Sequence, residues 1–289
     1  MVRTRFSGAR SAPAKRHLSK GTGALALLLA AVACPIQAAP MPLIPAPALV
    51  RATPALWEIR DADTTIYLFG TFHTLDDRTA WFGDKVRTAF DESGELMLET
   101  VVPDDRGIQA AAKAQVTEVS ADGSRRMKPF MAQTQSAVSE GRTIGLSVEN
   151  GADAVLRRIA EGAGKSVGGL ERFEDQLKTL SNIPAPPPAA AAAAASVPAV
   201  SVTLNDLLGA WTRGDTGAFS TMLSGLEAKS PVAYRMLFAD RNARWGQWIS
   251  NRLQQPGTVF VAVGSGHLAG KDSVQQWLAA RGITATRVS

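Results

Sequence analysis

TIYLFGTFH, residues Thr65 to His73, and TVFVAVGSGH, residues Thr258 to His267, share one layout. Each is an apolar run that stops at a glycine and carries a histidine three residues further on. Short apolar runs rich in β-branched and aromatic residues and closed by glycine read as buried strands. The 289-residue chain holds only three histidines among its 25 glycines and other residues. Both copies would carry a glycine at this spacing by chance in roughly one such chain in a hundred.

The segments around these strands alternate in period. ALWEIRDADTTIYLF reads as a hairpin, Leu56 to Arg60 and Ile66 to Phe69 about a turn at Asp61 to Asp63. Trp81, Phe82, Val86, Ala89 and Phe90 have helical spacing, and ELMLE is a short strand ending on an acid. Asp104 to Gly141 reads as helical, polar and partly loose. Ala154 to Ala160 suits a helix stopped by GAGK, SVGGLE a strand, and RFEDQLKTL a further helix. VTLNDLLGAWTRGD and PVAYRMLFADRNARWGQWISNRLQ are helical in period, with Trp245 and Trp248 expected as core packing. The end reads strand, loop, helix, strand, with Gly282 stopping the helix. This order predicts an α/β fold: a largely parallel central sheet flanked by helices, with a helical cap or insertion.

The ends of the chain are of another kind. Residues 1–39 hold Arg3, Arg5, Arg10, Lys15, Arg16 and Lys20, no acid, and the apolar run GALALLLAAVA, too short for a membrane anchor. That is the layout of a secretory signal cleaved near Ala38 or Ala39. The net charge of +5 therefore belongs to the leader: without its six basic residues, the 31 in the chain fall one short of the 26 acidic ones. Nothing in this balance calls for nucleic acid as a partner. Cys34 is either lost with the leader or the lipid acceptor of a lipoprotein, the second weakened by Pro35 and Ala31. The domain that follows has no cysteine, which excludes disulfides and thiolate metal ligands. Residues 40–54 read as a Pro/Ala-rich tether, 55–289 as one α/β domain, and 184–198 as a Pro/Ala-rich linker inside it. A periplasmic or secreted location follows, with membrane contact only through an anchor at Cys34.

In a parallel sheet, ligands bind beyond the carboxyl ends of the strands. Here that edge would receive His73, Glu99, Glu171 and His267, two imidazoles and two carboxylates in reach of one metal ion. Gly70 and Gly264 would let each histidine swing back over the edge, by positive φ or by close approach. Each residue also has an ordinary reading: Glu99 as a surface acid, Glu171 as a helix-dipole acid, His73 as a hydrogen-bonded structural histidine.

The blocks TIYLFGTFH, ELMLE, GKSVGGLE with EDQL, AWTRGD, DRNARW and VFVAVGSGHLAGKDSV resemble the TraB and GumN family, relatives of the Tiki proteins, over most of Leu56 to Val288. The resemblance implies a fold related to the erythromycin esterase and ChaN-like proteins and a metal-dependent peptidase using manganese or cobalt. It makes His73 and His267 the motif histidines and Glu99 the motif acid, with Glu171, Arg241 and Asn242 as further signature residues. Asp104 to Ser147 is shorter and more polar than the cap the family implies. A ligand set of His73, His267 and Glu99 suits zinc, manganese or cobalt. Either Glu99 or Glu171 would serve as general base. Arg241 would stabilise developing negative charge or tie a helix to the sheet edge. The other class of function is a binding protein, holding haem, a metal or a peptide without turnover, with a role near polysaccharide production as one variant.

Overall fold

Leu56–Arg60 (β1) and Thr64–Thr71 (β2) form the expected hairpin, paired antiparallel from Leu56 opposite Phe69 to Arg60 opposite Thr65. Asp61 closes its turn, because its Oδ1 accepts the backbone N–H groups of Asp63 and Thr64 at 3.2 and 2.9 Å. The structure is a computed structural model that describes residues 49–103, 107, 117–119, 123–184 and 203–289. The leader with Cys34, most of the tether and nearly all of the Pro/Ala linker lie outside the described residues.

After the hairpin come α1 (Asp84–Glu92), β3 (Glu95–Thr100), α2 (Pro129–Thr143), α3 (Ala152–Gly162), β4 (Ser166–Glu171) and α4 (Phe173–Ser181). Then follow α5 (Leu204–Thr212), α6 (Gly217–Lys229), a helical turn Pro231–Tyr234, a π-helical turn Arg235–Ala239 and α7 (Asp240–Arg252). The chain ends with β5 (Gly257–Gly264), a 3₁₀ turn Ser265–Leu268, α8 (Val274–Ala279) and β6 (Thr286–Arg287). Among the described residues six strands make one sheet in the order β6, β1, β2, β5, β3, β4. β2, β5, β3 and β4 are parallel, and β1 and β6 complete the other edge antiparallel.

Both faces of this sheet are covered, which is why the middles of its central strands, residues 66–69, 96–98 and 259–263, are apolar or aromatic without alternation. Tyr67, Phe69, Leu96, Leu98, Phe260 and Ala262 face one core, shared with Trp81, Phe90, Leu156 and Trp211. Ile66, Leu68, Met97, Val259, Val261 and Val263 face the other, shared with Trp245, Ile249 and Leu278. Trp245 is core, as its spacing predicts, and Trp248 packs beside it. The period of two thus divides each strand between two layers of helices.

One local expectation is corrected. The described part of Asp104 to Gly141 is not all helix: Thr117–Val119 pairs antiparallel with Arg125–Met127 before α2 begins. Strands of three residues are too short to set a readable period, although Gly123 at φ 78° marks the turn. Of the two roles open to Gly70 and Gly264, the structure shows close approach, since neither has positive φ. β2 and β5 are neighbours with Gly70 opposite Val263 and Thr71 opposite Gly264, so the two motif copies run side by side, one residue out of step. A Cβ on Gly70 would stand 2.7 Å from Ser265 Oγ, and one on Gly264 would stand 3.0 Å from both Glu99 Oε1 and His73 Nε2.

Candidate functional site

The carboxyl ends of the four parallel strands carry the candidate residues. His73 stands two residues beyond β2, Glu99 is the penultimate residue of β3, Glu171 the last of β4, and His267 lies in the 3₁₀ turn after β5. Arg241 and Asn242 reach the same edge from the first turn of α7.

His267 is enclosed, with 4% of its surface exposed. Its ring lies between Phe238 and Trp245, at centroid distances of 4.9 and 4.4 Å. Asn242 Nδ2 donates to the backbone carbonyl of Asp272 at 2.7 Å, which turns Asn242 Oδ1 toward His267 Nδ1, 2.6 Å away. The proton of the neutral ring therefore sits on Nδ1, and the Nε2 lone pair faces inward. There it accepts Arg241 Nη1–H at 3.1 Å, and it lies 3.5 Å from Glu99 Oε1. Burial pushes the His267 pKa down to about 3, so the ring is neutral at physiological pH.

His73 is the opposite case. Its side chain is 59% exposed at the floor of a cleft, and its Nδ1 meets Asp153 Oδ1 at 2.9 Å. The Asp153 carboxylate raises the His73 pKa to about 9, overcoming desolvation. Below that pKa both ring nitrogens carry a proton: Nδ1–H donates to Asp153, and Nε2 lies on the side of Gly264, so an ion bound there would displace the Nε2 proton. Asp153 is brought there by a close approach: Ala152 N donates to Phe72 O at 3.0 Å, and a Cβ on Gly151 would lie 2.2 Å from His73 O. Only glycine lets the start of α3 abut the backbone of the motif histidine.

Glu99 lies between the two rings. Its Oε1 accepts Gly264 N–H at 2.6 Å, and its Oε2 accepts from Arg241 Nη2 at 2.9 Å and from Gln176 Nε2 at 3.4 Å. Burial works to raise its pKa, but His267, Arg241, His73 and the Gly264 N–H outweigh it and hold the carboxyl below the usual carboxylate range. Arg241 uses every part of its fork: Nε and Nη2 bind the two oxygens of Glu171, Nη2 also binds Glu99, and Nη1 serves Leu237 O and His267. The guanidinium has five N–H donors and all are engaged, so it offers no free donor to a substrate in this arrangement. Glu171 likewise spends both oxygens on Arg241, with Arg244 3.9 Å away.

Does this set of residues suit a metal ion? The chemistry of the donors does. Both imidazoles have Nδ1 held by an acceptor, the orientation that outer partners impose on ligating histidines, and His267 Nε2 lies 3.5 Å from Glu99 Oε1. His73 Nε2 and Glu99 Oε1 flank the space that a Cβ on Gly264 would fill. The spacing is wider than coordination requires: among the described residues no group of three or more His, Cys, Asp or Glu stands close enough to hold an ion.

The family model of the TraB/PrgY/gumN family matches residues 55–124 and 106–287. The chain belongs to the TraB/PrgY/gumN family. No curated protein and no solved structure matches it. In this TraB/PrgY/gumN member the sequence places His73, Glu99, Glu171, Arg241 and His267 in one cluster. It misses Asp153, which reads as an ordinary acid in the first turn of a helix, and gives Asn242 no role. The available signal for Asp153 was Gly151 just before it. Above the cluster opens a cleft of about 470 Å³ whose lining includes His73, Glu99, Val102, Val148, Arg157 and Gln176.

Proposed function

We propose that the chain is an exported hydrolase that acts on peptide bonds with a divalent ion, manganese, cobalt or zinc, held by His73 Nε2, His267 Nε2 and Glu99. The observation that carries this reading is the setting of the two histidines, each with Nδ1 anchored, His267 Nε2 3.5 Å from Glu99 Oε1 and His73 Nε2 bordering, with that same oxygen, the space beside Gly264. When bound, the ion would polarise the scissile carbonyl and acidify a water. Glu99 suits the ligand role better than that of general base, because a carboxyl held so far below its ordinary pKa is a weak proton acceptor. Asp153 and Asn242 orient the imidazoles. Arg241 positions Glu99 against Glu171; to free His267 Nε2 it gives up one of its partners and keeps the others. The open side of His73 receives substrate, and His267 and Arg241 form the closed side. Export rests on the leader, residues 1–39, which lies outside the described residues.

The test is digestion of a peptide library by the purified protein, read by mass spectrometry, with each divalent ion added after chelation. Ion-dependent cleavage that disappears in Glu99→Gln supports the reading. Cleavage that survives chelation and the substitution, or ion and peptide binding without turnover, sinks it and favours the binding class.

A further inference from the structure

We propose that Tyr234 is a positioning residue, acting through Asp272 and Asn242 to hold His267 in the tautomer with its proton on Nδ1. The positioning itself stands without the hydrolase reading; only its consequence for ion binding rests on that reading.

The contacts begin at an amide that can face two ways. Asn242 has donors on Nδ2 and an acceptor at Oδ1, and by shape alone either end fits against His267 Nδ1. The backbone carbonyl of Asp272 decides between them, because it can only accept. It takes Nδ2–H at 2.7 Å and so leaves Oδ1 2.6 Å from Nδ1. Were that carbonyl to swing away, the amide could reverse and present N–H to Nδ1, which disfavours the proton there and favours it on the inward Nε2. Arg241 Nη1–H opposes this from the other side while it sits on Nε2, 3.1 Å away. With Nε2 given over to an ion, that donor is gone, and Asn242 is what remains to hold Nδ1–H.

The Asp272 carbonyl is held by the side chain of its own residue. Asp272 lies in the loop between the 3₁₀ turn and α8, and its Oδ2 accepts the Tyr234 hydroxyl at 2.8 Å. Lys271 Nζ meets the same oxygen and reaches Glu227 of α6 at 3.1 Å. That lysine is largely exposed, and exposed ion pairs contribute little. Tyr234 is buried, so its hydroxyl is the anchor of the loop. Its ring lies 6.2 Å from Phe238, whose ring in turn lies 4.9 Å from His267. Tyr234→Phe keeps this packing and removes only the hydroxyl, so a change at His267 has to travel through Asp272 and Asn242.

The experiment is NMR at neutral pH of the metal-free full chain with ¹⁵N-labelled histidine. Wild type should show His267 with Nδ1 protonated, Nε2 bare and the Nδ1 proton protected from exchange with water. Tyr234→Phe and Asp272→Ala should each speed that exchange about tenfold, the share of one hydrogen bond to a charged group. Asp272→Asn, which keeps an acceptor for the phenol, should stay close to wild type. Tyr67→Phe removes the other buried phenol bond, to Glu92 at 2.7 Å, and should lower the melting temperature without moving the His267 signals. Cobalt affinity, read by calorimetry, should fall about tenfold in Tyr234→Phe, the lower end of what partners outside a metal's own ligands contribute. A bare Nδ1 in wild type, unchanged His267 signals in both Tyr234→Phe and Asp272→Ala, or an equal change in Tyr67→Phe would overturn the proposal. Altered signals in a protein that binds no cobalt leave the positioning in place and remove the ion reading. Unaltered signals in a protein that binds cobalt do the reverse.

Discussion

Arg241 ties its helix to the sheet edge and joins more of the cluster than any single contact would. It is 5% exposed and joins two buried carboxylates that would otherwise repel. Removing one partner of a buried ion pair costs about 3–5 kcal/mol, because the remaining charge stays buried without compensation. Arg241→Gln should therefore lower unfolding free energy by about that amount in a denaturant titration, and adding Glu171→Gln should recover part of it. The two tyrosines give a second residue-scale check. Burial, and then hydrogen bonds to Glu92 and Asp272, push Tyr67 and Tyr234 each up to about 12. Folded pKa values above the unfolded value of 10 mean that their contribution to stability is complete below pH 10 and is lost as pH rises through about 12. Ultraviolet titration of the folded protein should show no phenolate near pH 10. A tyrosine that ionises there shows that at least one of these hydroxyls is open to water.

At the scale of elements, the start of α3 sets the state of His73. Gly151→Ala places a Cβ 2.2 Å from His73 O, which must drive α3 back and lengthen the bond between His73 and Asp153. The His73 pKa should then fall from about 9 toward its ordinary 6.5, read by NMR titration of the metal-free protein. An unchanged value would mean that Asp153 does not govern it. Gly246 has a purely packing role: a Cβ there meets the Trp277 ring at 2.3 Å. Overpacking of this kind in Gly246→Ala should cost about 1–3 kcal/mol, with the His73 titration unaltered. The strands were legible because apolar runs, glycines and terminal acids coincide at β2, β3, β4 and β5. The hairpin of Thr117–Val119 with Arg125–Met127 was not, since strands of three residues set no period. Asp153 was not either, because its function depends on a backbone approach between segments 80 residues apart, which no local pattern records.

Across the whole molecule, the fold serves to bring two motif copies, distant in sequence, to adjacent strands of one sheet. A largely parallel sheet with its ligand edge followed from the sequence, since strands alternate with helices, whereas the adjacency of the two motif strands did not. What the sequence leaves open is how the edge is finished. The supporting partners Asn242 and Arg241 come from α7, on one face, and Asp153 comes from α3, on the other. Glu99 lies where the two meet, so neither layer alone completes the cluster. In the proposed function one ion then serves both histidines rather than two independent sites, and losing one ligand should already empty it. X-ray absorption of the cobalt-loaded protein, with stoichiometry from calorimetry, tests this most directly. One ion per chain with two imidazole nitrogens and carboxylate oxygen is the predicted result, with tight binding gone in His73→Ala, in His267→Ala and no further reduced in the double variant. Cobalt bound with undiminished affinity in His267→Ala, or a spectrum with a single imidazole, would contradict the shared site.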